Sequence, residues 1–150
     1  MPPDWDVHHG RNDLPRCPRG GLLSGTEGPD QLAGEDGEDE IRGLGARDFI
    51  SGGAGNDIIY GGPGDNSPMV GDECDDVVYG GDGDEEELGG GKGEDVIYGG
   101  DGNDDLDGAS VDRQQRDKLY CGEGKDYYVA DENDYVDSSC EVKYRPQGRS

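Results

Sequence analysis

Acidic side chains recur in this sequence at a spacing that suits a bound cation. From residue 25 to residue 129, a carboxylate or its amide stands sixth in one nine-residue unit after another: Asp30, Asp39, Asp48, Asp57, Asn66, Asp76, Glu85, Asp95, Asp104, Asp117 and Asp126. Carboxylates are hard oxygen donors. Ca2+ takes six to eight such oxygens in irregular geometry, whereas Mg2+ demands a tighter octahedron and fits less well. Carboxylate pairs can also act as acid and base, but cation ligation accounts better for so many of them. The nucleophile and base needed for covalent hydrolysis are missing, since the two histidines, His8 and His9, stand alone near the N-terminus. The chain is expected not to be an enzyme.

The residues around each acid explain how it would be positioned. The clearest units are GGAGNDIIY (52–60), GGKGEDVIY (90–98) and GGDGNDDLD (99–107). Glycines at the first, second and fourth places permit positive φ, so the chain can bend tightly and aim its carbonyls at one point. Candidate carbonyl donors are those of Gly34, Gly37, Gly52, Gly53, Gly55, Gly90, Gly91 and Gly93. Three residues such as Ile58, Ile59 and Tyr60 then form a short strand whose middle side chain points inward. Two units make a coil of 18 residues. Successive coils are expected ~4.8 Å apart, the interstrand spacing of a sheet.

The repeated pattern, G-G-x-G-x-D-x-U-x with U a large apolar residue, resembles the nonapeptide of repeats-in-toxin (RTX), or hemolysin-type, calcium-binding proteins across residues 25–129. The resemblance implies an all-β fold, a right-handed parallel β-roll with two half-turns per coil. It also implies several bound Ca2+ ions, held by Asp30, Asp39, Asp48, Asp57, Asp76, Asp95, Asp104, Asp117 and Asp126 with the turn carbonyls. The closing segment resembles that of secreted bacterial hemolysin-type proteins in Cys121–Asp126, Ala130–Val136 and Cys140-Glu141. That likeness implies a Cys121–Cys140 disulfide fastening a cap over the last coil, whose core and strand edge would otherwise be open. RTX repeats usually accompany a protease, lipase, pore-forming or adhesive domain. The 24 residues before the first unit are too few to hold one.

An 18-residue coil sorts the units into two columns of unequal chemistry. The first carries Asp39, Asp57, Asp76, Asp95 and Asp117; the second carries Asp30, Asp48, Asn66, Glu85, Asp104 and Asp126. Asn66 and Glu85 lie in units that have gained a residue, so weak or missing sites are expected there. The first column also places Tyr60, Tyr79, Tyr98 and Tyr120 at an outward strand position. Two readings of this ladder stand side by side: good strand formers stacked on their own copies, or an exposed stripe for self-association or for a protein or glycan partner. The outward positions lack the regular threonine array of an ice-binding surface.

Composition narrows the partners. Asp and Glu outnumber Lys and Arg by 37 to 13, for a net charge of -24, which argues against nucleic acid and anionic membranes and favours cations. No apolar run approaches a membrane span, so membrane insertion is not expected. With 30 glycines and 29% apolar residues, the core must be thin, so Ca2+ is expected to contribute folding free energy. Four cysteines, Cys17, Cys74, Cys121 and Cys140, permit three pairings and suit an oxidising compartment; with no CxxC motif and only two histidines they make a poor zinc site. An extracellular location is expected. Met1 to Gly20 lacks the apolar segment of a signal peptide, so the export route is not evident from this chain. The organisation expected is a tail at 1–24, the roll at 25–129, and a cap and tail at 130–150.

Overall fold

Each unit spends its glycines on a bend and its apolar residues on a strand, and successive strands stack in parallel. The computed structural model describes residues 19–109 and 115–143 and contains no helix among them. One seven-stranded sheet is formed by β1 (Arg19–Ser24), β3 (Glu38–Arg42), β5 (Ile58–Pro63), β7 (Val77–Asp82), β9 (Val96–Asp101), β11 (Lys118–Glu123) and β13 (Tyr135–Val136). The other is formed by β2 (Gln31–Ala33), β4 (Phe49–Ala54), β6 (Met69–Glu73), β8 (Leu88–Lys92), β10 (Asp105–Asp107), β12 (Tyr127–Val129) and β14 (Val142–Lys143). Successive strands of the chain alternate between the sheets, so this is a parallel β-roll of the expected class.

The inward positions form two files of side chains, one from each sheet. Ile41, Ile50, Ile59, Met69, Val78, Leu88, Ile97, Leu106 and Leu119 are buried, with Leu32 and Tyr128 packed against them. The register keeps like over like: Ile59 faces Val78, Val78 faces Ile97 and Ile97 faces Leu119. A pleated strand in a two-layer roll offers only its middle residue to the core, so its neighbours stay partly exposed, apart from the buried Gly89 beside Leu88.

Several strands run longer than three residues. β5, β7 and β9 continue from the apolar triplet into the first glycines of the next unit, where Gly62 pairs with Gly81 and Gly81 with Gly100. The bend therefore starts later than the sequence suggests, because glycines without side chains can keep pairing between close-packed coils. Positive φ is confined to the second and fourth places of the unit: Gly53 has φ 99° and Gly55 has φ 138°. Where glycine is absent, the turn imposes the same geometry on other residues. Glu35 (76°), Leu44 (78°), Ala46 (70°), Asp72 (87°) and Cys74 (86°) are all forced into it.

The chain also departs from a strict 18-residue coil. The stacking offset is 18 from Asp39 to Asp57, 19 from Asp57 to Asp76 and 22 from Asp95 to Asp117. Inserted residues are placed between stacked positions, because moving an acid or an inward apolar residue by one would turn it to the wrong face.

At both ends the sheets reach beyond the nonapeptides. β1 pairs with β3, bringing Leu23 beside Ile41, although no repeat unit covers Arg19–Ser24. β13 pairs with β11, and β14 with β12. Cys121 and Cys140 are joined by a disulfide that ties this end segment to the last coils. His8, His9 and Cys17 lie outside the described residues, and no cysteine among the described residues is free.

Candidate metal-binding turns

Each bend of the two columns brings one sixth-position side chain under the next coil, and one oxygen of that side chain is committed to a hydrogen bond. In the first column the N–H of Asp39 donates to Asp57 Oδ1 (2.8 Å), that of Asp57 to Asp76 Oδ1 (2.7 Å), that of Asp76 to Asp95 Oδ1 (2.7 Å) and that of Asp95 to Asp117 Oδ1 (2.8 Å). The second column repeats this from Asp30 onto Asp48, then onto Asn66, Glu85, Asp104 and Asp126. Each sixth-position side chain thus caps the backbone of the coil before it.

The second oxygen has no such partner. Asp39, Asp48, Asp57, Asp76, Asp95, Asp104 and Asp126 each bury an Oδ2, and Glu85 an Oε2, that receives no hydrogen bond. A buried carboxylate oxygen without donor or counter-charge is costly, and native proteins normally pair such groups or coordinate a metal with them. The first-place glycines mark where these oxygens converge with main-chain oxygens. A Cβ on Gly34 would lie 2.5 Å from Asp39 Oδ2 and 2.5 Å from the Gly52 carbonyl oxygen; one on Gly43 would lie 2.5 Å from Asp48 Oδ2 and 2.7 Å from the Gly61 carbonyl oxygen. The glycine is required because the space beside it belongs to oxygens of two coils.

Electrostatics favour a cation at these turns. Burial, reinforced by neighbouring carboxylates, pushes Asp76 up to about 9 and Asp95 up to about 8, against the opposing pull of the backbone N–H each accepts. Asp57 and Asp117 are raised to about 6 for the same reason. Burial also raises Asp39, Asp48 and Asp126. It raises Glu85, with the charge of Asp104 adding to the effect, and it raises Asp104 to about 6, where the charge of Asp126 adds to it and hydrogen bonds with Glu85 oppose it. Ion pairs among the described residues, Arg42 with Glu40, Arg47 with Glu86 and Lys92 with Glu73, lie on the surface and leave the columns uncompensated. No group of three or more His, Cys, Asp or Glu side chains converges among the described residues. The acid-bearing turns instead offer a carboxylate oxygen beside main-chain carbonyls, a donor set for a hard cation and not for zinc.

A family model for the RTX calcium-binding nonapeptide repeat matches four stretches, residues 22–48, 34–68, 69–84 and 88–114. The chain belongs to this family of RTX calcium-binding repeats. No curated protein matches it. In RTX terms all the sixth-position acids expected from the sequence fall into the two stacked columns, and Asp117 takes its place although the unit before it is expanded. Glu85, expected to weaken its turn, accepts the Asn66 N–H through Oε1 (3.2 Å) and leaves Oε2 buried and unpartnered as the aspartates do. Asn66 behaves differently.

A further stitching escaped the sequence reading. Fifth-position side chains accept N–H groups from the following coil: Asn56 from Asp75 (2.9 Å), Asp75 from Glu94 (2.8 Å), Asp65 from Asp84 (2.9 Å), Asp84 from Asn103 (2.8 Å) and Asn103 from Lys125 (2.8 Å). The signal was available as the recurrence of Asn and Asp just before the sixth-position acid.

The tyrosines of the RTX roll stack face to face. Centroids are 5.0 Å apart for Tyr60 and Tyr79, 4.7 Å for Tyr79 and Tyr98, and 4.9 Å for Tyr98 and Tyr120, close to the interstrand spacing. Arg42 lies over Tyr60 at one end and a tilted Tyr135 meets Tyr120 at the other.

Proposed function

We propose that this chain is a secreted, non-enzymatic calcium-binding β-roll whose folding is driven by Ca2+. The observation that carries the reading is the set of buried, unpartnered carboxylate oxygens at Asp39, Asp48, Asp57, Asp76, Glu85, Asp95, Asp104 and Asp126. These residues would hold the ions together with turn carbonyls such as those of Gly52 and Gly61. Asp30 and Asp117 complete the sixth-position acids at which ions are expected. A bound ion supplies positive charge to groups that repel one another, and it joins one coil to the next. The Cys121–Cys140 disulfide suits the oxidising, calcium-rich surroundings of a secreted protein. Equilibrium dialysis against about 1 mM Ca2+, with Mg2+ as control, is expected to show several Ca2+ bound per chain at affinities of about 10⁻⁴ to 10⁻³ M. An absence of bound Ca2+ at ten times that concentration overturns the reading.

The tyrosine face supports a stabilising role better than an adhesive one. Ring faces of Tyr60, Tyr79, Tyr98 and Tyr120 are spent on each other, so the ladder offers a partner chiefly edges and hydroxyls. The double variant Tyr79→Ser, Tyr98→Ser should therefore sediment at the same mass as the parent in Ca2+ while melting at lower temperature. Aromatic pairs contribute about 0.5–1.5 kcal/mol each beyond area burial, so the loss should be plain in a thermal melt. A parent that sediments as a dimer and a variant that does not would restore the self-association reading.

A further inference from the structure

Within the second column one turn already contains its own substitute for the ion. Asn66 is fully buried. Its Oδ1 accepts the N–H of Asp48 at 2.8 Å, as the aspartates' Oδ1 atoms do for their own preceding coils. That bond fixes the amide's orientation, since only the oxygen can accept it, and turns Nδ2 toward the place where the neighbouring turns bury an unpartnered oxygen. There Nδ2 donates to the carbonyls of Gly62 (3.4 Å) and Gly64 (3.3 Å), the second- and fourth-place residues of its own turn. A Cβ on Gly61 would meet Asn66 Nδ2 at 2.7 Å, just as one on Gly43 would meet Asp48 Oδ2.

We infer that the turn of residues 61–66 binds no Ca2+ and closes instead on the Asn66 carboxamide, which divides the second column into two blocks of ions. The inference rests on the calcium reading above. An amide N–H is a donor and repels a cation, so the carbonyls it engages are lost as ligands while the turn keeps its shape without metal. The neighbours Asp48 and Glu85 retain their free oxygens, so the interruption is confined to this one turn. It also removes one negative charge from the middle of the column, where it would have repelled both.

Native mass spectrometry of the intact chain at saturating Ca2+ tests this by a reciprocal exchange. Asn66→Asp, which restores a carboxylate of the same size, is expected to bind one ion more than the parent. Asp57→Asn, which installs the amide in a first-column turn, is expected to bind one fewer and carries the test if the first variant does not fold. A parent that binds several ions while either folded variant binds the same number overturns the inference and leaves the calcium reading standing. A parent that binds none overturns both.

Discussion

In calcium-free buffer the chain is expected to lose its far-ultraviolet β signal, and addition of Ca2+ at about 10⁻⁴ to 10⁻³ M should restore it in one cooperative transition. The balance of forces leads there. The core is only two inward files thick, one side chain from each strand, while the bends are rich in glycine, whose ordering costs more backbone entropy than that of any other residue. Against this weak core stand two columns of buried acids with no positive side chain beside them. Each coil contacts mainly its neighbours, so an ion joining adjacent turns stabilises the one interface on which both depend. Mg2+ at equal concentration should restore little, because its octahedron does not suit carbonyls set by the bend. Circular dichroism with and without Ca2+ decides the matter, and a full β signal in calcium-free buffer would refute calcium-driven folding.

Acidification should do part of the work of calcium. In the metal-free roll Asp76 and Asp95 are pushed to about 9 and about 8, far above the value of 3.8 of an unburied Asp. A group whose folded value is raised binds its proton more tightly when folded. Its stabilising contribution is complete below about 4 and is lost as pH rises through about 8 to 9. The metal-free chain should therefore regain β signal as pH falls from 9 toward 5.5, in buffer freed of calcium by resin. With Ca2+ present the sign reverses, because protons compete with the ion for the same oxygens, and the calcium midpoint should rise as pH falls. If the metal-free chain shows no gain on acidification, the buried carboxylates are not what opposes folding.

Much of the architecture was legible because it depends on spacing. GGAGNDIIY, GGKGEDVIY and GGDGNDDLD state the bend, the acid and the inward residue in order, and repetition forces like to stack on like. The ends were less legible. Arg19–Ser24 carries a glycine pair, Gly20-Gly21, but not the full nonapeptide pattern, and it is its pairing with β3, with Leu23 beside Ile41, that makes it a strand. The expanded units could be aligned by their acids from the sequence, and the structure keeps that alignment, with stacking offsets of 18, 19 and 22 residues.

The sequence by itself determined the repeat, the two columns, the inward files, the tyrosine ladder and the preference for a hard cation, all local or periodic properties. Only the tertiary structure decided how each carboxylate divides its two oxygens, because that depends on a backbone N–H 18 to 22 residues away. It likewise separated Glu85 from Asn66. The two occupy equivalent places in equally expanded units. Yet the carboxylate buries an unpartnered oxygen while the amide fills its turn with a donor, and that difference depends on which atom faces the carbonyls of the folded coil.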